Sequence, residues 1–252
     1  MTERRFACTA CGQCCYGVLP LTLHEAIESA GIFPLAMSIT VIKAGSRGYS
    51  SVGNIGVQIP TKQRKPLSLL VFPVSFIPPS LPCPQLTETN LCSVHENKPL
   101  RCRTMPFYPY KDDDHQSEML VPRQGWLCKT DSDAPVVYRN RQILDRGDFN
   151  NERAELVRQA PALQRYINLL TQYDRKTYER IVGTGKASVP GRVLVGFISY
   201  VRFNKGLDML DFAQKQHPIL RQWAERTSVD TRFAEYHNFY KNELSVLTRY
   251  LD

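Results

Sequence analysis

Phe6-Ala7-Cys8-Thr9-Ala10-Cys11-Gly12-Gln13-Cys14-Cys15 is a C-x2-C-x2-C-C run, and the rest of the chain is read outward from it. Two-residue gaps let successive thiolates turn inward around one centre, which is how zinc and iron–sulfur clusters are held. Gly12 follows Cys11, where a residue free to take positive φ helps the backbone wrap an ion. Four more cysteines follow, Cys83, Cys92, Cys102 and Cys128, and none lies beyond them. The total of eight is enough for two complete four-thiolate sites.

Disulfides are the competing use of so many cysteines. The amino terminus, Met1-Thr-Glu-Arg-Arg5, lacks the apolar stretch of a secretory leader, so a cytoplasmic, reducing compartment is expected. Adjacent Cys14 and Cys15 suit a disulfide badly, because neighbouring side chains diverge. Every cysteine lies in the first 128 of 252 residues, and that gathering favours metal binding.

The stretch Phe6–Glu25 resembles the CxxCxxCC family, YkgJ-like zinc- or iron-chelating domains. The resemblance continues at Pro82-Cys83-Pro84-Gln-Leu86 and through Leu91-Cys92-Ser-Val-His95-Glu-Asn-Lys-Pro99-Leu-Arg-Cys102-Arg103-Thr-Met-Pro106-Phe107. Cys128 stands where the family commonly has its last cysteine. The match runs from residue 6 to about 130 and implies a metal-chelating role for Cys8, Cys11, Cys14, Cys15, Cys83, Cys92, Cys102 and Cys128. A more distant similarity to flagellin lysine N-methylases lies in the same cysteine signature.

Zinc and iron–sulfur are both compatible with the spacing. Structural zinc usually takes paired C-x2-C knuckles, and only one such region is present, so the triplet leans towards a cluster. Cys83 is followed by Pro84, and a remote Cys-Pro often completes a cubane begun by such a triplet. That reading joins Cys8, Cys11 and Cys14 to Cys83 and leaves Cys15, Cys92, Cys102 and Cys128 for a second site. Adjacent cysteines can exchange roles, so other divisions stay open. Arg101 and Arg103 flank Cys102 and could offset thiolate charge. His95 could join the ligands, but the cysteines already suffice, and a polar loop residue is the simpler reading. His24, His115, His217 and His237 are scattered.

The formal net charge of +8 is uneven: residues 1–135 carry 13 Lys/Arg against 11 Asp/Glu, and residues 136–252 carry 19 against 13. The basic residues are spread singly rather than clustered, which disfavours nucleic acid and points to a solvated helical surface. The most apolar stretch, Leu67–Leu81, is cut by Pro73, Pro78 and Pro79 and is too short to span a membrane. No Walker loop, GxGxxG or G-x-S-x-G motif is present.

Along the chain, Thr22 and Glu25 form a capping box for a first helix that Gly31 stops. Residues 38–61 read as short strands broken by Gly45, Gly48, Gly53 and Gly56, and Ser68–Phe76 as a strand that Pro73 demotes to an edge. Twelve of the 17 prolines lie between residues 60 and 135, which predicts loop-rich wrapping that a bound metal would cross-link. Phe107–Tyr110 and Met119–Pro122 read as hairpin arms around a solvated Asp112–Asp114 tip. From about residue 136 the texture turns helical. Leu163, Tyr166, Ile167, Leu170, Tyr173, Thr177 and Ile181 line one face to Gly183, with Pro161 at its start. A loop at 183–191 and a buried element at Val193–Phe203 follow, and Phe233, Tyr236, Tyr240, Leu244, Leu247 and Leu251 mark a last helix capped at Asp230 or Thr231.

The sequence therefore predicts an α+β protein, with an irregular cysteine-rich region over 1–135 carrying short strands and a helical region over 136–252. Three functions fit: an iron–sulfur protein of redox or electron-transfer type, a cluster-dependent protein-modifying enzyme such as a lysine N-methylase, and a structural-zinc module. A protein partner is expected in each case.

Overall fold

The computed structural model describes residues 3–43, 45, 52–61, 66–187 and 191–251. Gly48 and the tip of the expected 183–191 loop lie outside them. In chain order the elements are β1 (Glu3–Arg5), β2 (Leu19–Pro20), α1 (Leu23–Glu28), β3 (Leu35–Ile42), β4 (Val57–Ile59), β5 (Leu67–Ser75) and α2 (Leu100–Thr104). Then come β6 (Val136–Arg139), β7 (Gln142–Ile143), α3 (Gly147–Tyr173), α4 (Arg175–Lys186), β8 (Arg192–Gly196), α5 (Ile198–Phe203), α6 (Met209–Arg226) and α7 (Ala234–Thr248). The class is α+β, with strands mostly in the first half and helices mostly in the second. Among the described residues no helix is long and apolar enough to cross a membrane.

Two compact units form, Met1–Gly17 with Pro79–Arg158 and Val18–Pro78 with Gln159–Asp252. This grouping differs from a linear division at residue 135. The reason is β8, which pairs antiparallel with β3 and so joins the 18–78 strands to the C-terminal helices.

The second unit is built on the sheet order β2-β5-β3-β8, with β4 also on β5. Strand β3 reads Leu-Ala-Met-Ser-Ile-Thr-Val-Ile and is buried on both faces over most of its length, so it shows no alternation. Strand β5 is central rather than an edge, pairing with β3 on one side and with β2 and β4 on the other. Pro73 is tolerated there because β2 and β4 pair with different parts of β5, leaving 70–73 between them without strand partners on that side. The Pro73 carbonyl still accepts the Leu21 amide at 2.9 Å. The Thr22–Glu25 capping box forms as the sequence requires. Helix α3 passes through Pro161 without ending. The carbonyl that loses its donor belongs to Val157, an exposed residue, and Leu163, Tyr166, Ile167 and Leu170 are buried beyond it. The single face expected from Leu163 to Ile181 is split between two helices: α3 ends at exposed Tyr173, Asp174 caps α4, and α4 continues past Gly183 to Lys186. Helix α6, capped by Asp208, packs against α7, and its buried Gln216 donates to the carbonyls of Ala30 and Phe33 and accepts the Leu35 amide. Asp230 caps a 3-10 turn that leads into α7.

The first unit has a small core of Phe107, Leu120, Tyr138, Ile143 and Phe149. Residues 136–143 are a β-hairpin rather than the start of a helix, with Asn140 and Arg141 at positive φ in its turn and β1 added to its edge. The expected hairpin at 107–122 is absent; its tip is two 3-10 turns, Asp113–His115 and Ser117–Leu120. Fully buried Gln116 stands in for the missing ladder. Its Oε1 accepts the Tyr108 amide, and its Nε2 donates to the carbonyls of Tyr108 and Lys111, each at 2.9 Å. Gln116→Ala strands three backbone groups and is expected to cost about 2 kcal/mol. Faster amide exchange at Tyr108 in the variant is the check; unchanged protection there would contradict this account of the loop.

Candidate metal centre

All eight cysteines lie in the first unit, and all are free thiols. The run that carries four of them is strapped down at both ends. At one end Ala7 and Lys129 exchange both backbone hydrogen bonds, at 2.9 and 3.0 Å, in an antiparallel bridge. The Thr9 hydroxyl donates to the Leu127 carbonyl at 3.1 Å, so the two segments stay side by side. Antiparallel pairing places the residue after Ala7 across from the residue before Lys129, which sets Cys8 opposite Cys128.

At the other end Tyr16 bridges Pro82, the Cys83 amide donates to the Cys15 carbonyl at 2.8 Å, and the Gly17 amide donates to Leu81 at 3.3 Å. By the same geometry Cys15 faces Cys83. Cys83 and Cys92 then flank a tight turn closed by Leu86 against Cys92, with Asn90 at a φ of 62°. Gly12 presses onto this turn. A Cβ there would lie 3.0 Å from the Asn90 carbonyl oxygen and 3.1 Å from Leu86, and its φ is +72°, so both space and backbone require glycine.

Cys102 sits on α2, and its neighbour Arg101 anchors that helix. The buried Arg101 guanidinium pairs with Glu152 of α3 at 3.3 Å, donates to the Phe107 carbonyl and lies 4.7 Å from the Tyr108 ring centre. Arg103 pairs with Asp148 at 2.9 Å. The two arginines read from the sequence as thiolate partners are thus mainly engaged with carboxylates, and Arg101 lowers Cys102 less than burial and the neighbouring thiols raise it. The cation felt by Cys14 is Lys98, which the sequence reading did not single out. His95 lies exposed on a 3-10 turn.

Sulfur electrostatics follow this geometry. The Cys15 thiol donates to Cys14, which pushes Cys15 up and holds Cys14 below the ordinary thiol range. Burial raises Cys83, and the charges of Cys92 and Cys14 add to it. Burial pushes Cys102 up to about 12, with Cys83, Cys14 and Cys92 contributing. Cys128 is raised by burial and then by Cys11, Cys8 and Cys14. Cys11 is held low: burial opposes the thiolate, but the backbones of Gln13 and Leu127 and the Thr9 side chain hydrogen-bond to it.

The donor set fits a thiophilic metal in kind and number. It is all sulfur, which suits zinc or iron–sulfur and not hard calcium or magnesium. Raised thiols crowded by one another are also the setting in which a cation reverses the cost of thiolate charge. Among the described residues no three His, Cys, Asp or Glu side chains are drawn close enough to close on an ion.

Residues 7–126 match the CxxCxxCC family model, described as a "Putative zinc- or iron-chelating domain". No curated protein and no solved structure matches the chain.

Proposed function

Starting from a CxxCxxCC domain over residues 7–126, we propose that the protein holds an iron–sulfur cluster through Cys8, Cys11, Cys14, Cys15, Cys83, Cys92, Cys102 and Cys128 and serves a redox or electron-transfer role. The observation that carries this reading is the double strapping of the C-x2-C-x2-C-C run, which brings Cys128 to Cys8 and Cys83 to Cys15 as free thiols. A triplet at two-residue gaps presents three thiolates with little loop entropy lost. The Cys83-Pro84 step is of the type that completes clusters. Such a centre supplies one-electron chemistry when bound. The chain's own residues hold it, and Gly12 and Asn90 give the backbone the curvature to do so. A cytoplasmic setting keeps the thiols reduced, and a protein partner would exchange the electrons.

Anaerobically purified protein is expected to carry iron with acid-labile sulfide. Cys11→Ser should lower its iron content several-fold, and His217→Ala should leave it unchanged. Zinc without sulfide would replace this reading with the structural-zinc one, in which the metal cross-links a loop-rich unit of small core. Neither metal, with paired thiols, would refute both.

A further inference from the structure

We infer that the eight cysteines form two separate thiolate centres, Cys8, Cys11, Cys14 and Cys128 in one and Cys15, Cys83, Cys92 and Cys102 in the other, with the division falling between adjacent Cys14 and Cys15. The inference rests on the metal-binding reading above and deepens it by assigning each ligand. It also departs from the division that sequence spacing suggests, because Cys83 and Cys128 change places.

Backbone register makes the exchange. Cys128 is delivered across from Cys8 by the Ala7–Lys129 bridge, at the start of the run. The Leu127 backbone hydrogen-bonds to the Cys11 sulfur, which adds Cys11 to that end. Cys83 is delivered across from Cys15 by the Tyr16–Pro82 bridge, at the end of the run. The Leu86–Cys92 bridge brings Cys92 to the same end, and Cys102 on α2 has Cys83, Cys14 and Cys92 as neighbouring thiols. Cys128 in turn has Cys11, Cys8 and Cys14 as neighbouring thiols.

Cys14 lies between the two groups and is sensed from both. Cys15 is committed to its cross-strand partner Cys83, and the last group then has its four sulfurs. Cys14 is left to complete Cys8, Cys11 and Cys128, continuing their two-residue spacing. The first centre includes Cys8 and Cys14, both exposed, whereas every member of the second is partly buried. The first should therefore exchange its metal with solvent faster. Either centre takes a thiophilic cation in tetrahedral sulfur coordination.

The test uses Co2+ added to the full-length apoprotein under anaerobic, reducing conditions, read by thiolate-to-cobalt charge transfer and tetrahedral d–d bands. Wild type is expected to saturate at two equivalents with a four-sulfur spectrum. Cys8→Ser/Cys128→Ser and Cys83→Ser/Cys92→Ser should each keep one full four-sulfur equivalent. Cys8→Ser/Cys83→Ser, which removes one ligand from each centre, should keep none. The opposite pattern, with the four-sulfur spectrum lost in Cys8→Ser/Cys128→Ser and kept in Cys8→Ser/Cys83→Ser, would overturn the division while leaving metal binding intact. Saturation of wild type at one equivalent would do the same. No binding of Co2+ by wild type would remove the metal-binding reading itself.

Alkylation of the wild type guards against variants that do not fold. At one equivalent of Co2+, Cys15, Cys83, Cys92 and Cys102 should be protected from iodoacetamide together, with Cys8, Cys11, Cys14 and Cys128 still reactive. Full protection of a set that mixes members of the two groups, with the other four still reactive, would overturn the division.

Discussion

Arg101→Ala should destabilise the cysteine-bearing unit by about 3–5 kcal/mol, the cost typical of removing one partner from a buried ion pair. Arg101 and Glu152 expose only 5% and 6% of their side chains. The guanidinium also satisfies the Phe107 carbonyl and packs over Tyr108. Its loss leaves the Glu152 carboxylate buried without its cation and frees α2, the helix that carries Cys102. Amide exchange over residues 79–158 should accelerate by at least two orders of magnitude, at about 1.4 kcal/mol per factor of ten. Exchange in residues 159–251 should change far less. Most of the effect comes from the stranded charge, so Arg101→Met/Glu152→Leu should recover most of the protection. A single variant within 1 kcal/mol of wild type would show that the pair does not hold α2.

That pair also shows what a sequence can and cannot disclose. The candidate site was legible as a motif because C-x2-C-x2-C-C is a local pattern whose chemistry depends on spacing within ten residues. The Thr22–Glu25 box and the face of α7 were legible for the same reason, since caps and helical periodicity are short-range. Arg101 meets Glu152 across 51 positions, and Gln116 replaces a strand ladder with side-chain hydrogen bonds. Neither leaves a local signal. Pro73 misled because the rule that excludes proline from central strands assumes continuous partners, and here two short strands leave a gap. The Val136–Ile143 hairpin was read as helix because its turn residues, Asn140 and Arg141, are a less familiar pair than Asn-Gly. The partition of the cysteines inferred above has no local signature, for the most general reason. It depends on which strand bridges which, and register between segments some 65 to 120 residues apart is a tertiary fact.

In the other unit, stability should fall as pH rises from about 4.5 to about 7, because of Glu243 on α7. Its carboxylate lies over Gly196 at the end of β8, so close that a side chain at Gly196 could not be accommodated without displacing it. Ser199 donates to the Gly196 carbonyl at 2.7 Å, and the buried Tyr166 hydroxyl shares a 2.7 Å hydrogen bond with Ser199. Burial alone lifts Glu243 from an ordinary 4.5 to about 7. The folded protein therefore holds this proton more tightly than the unfolded chain does. Below about 4.5 both states carry it and the contribution is fully present; through the window to about 7 the unfolded carboxyl ionises while the folded one resists. The total loss is on the order of 3 kcal/mol once both are ionised. Glu243→Gln keeps the shape and removes the titration, so its stability should be nearly flat where wild type declines. Urea unfolding at pH 5 and pH 7.5, followed at buried Trp223 in a Trp126→Phe background, reads the difference. A wild type that gains stability relative to Glu243→Gln over that interval would mean that a cation reaches the carboxylate and burial does not govern it.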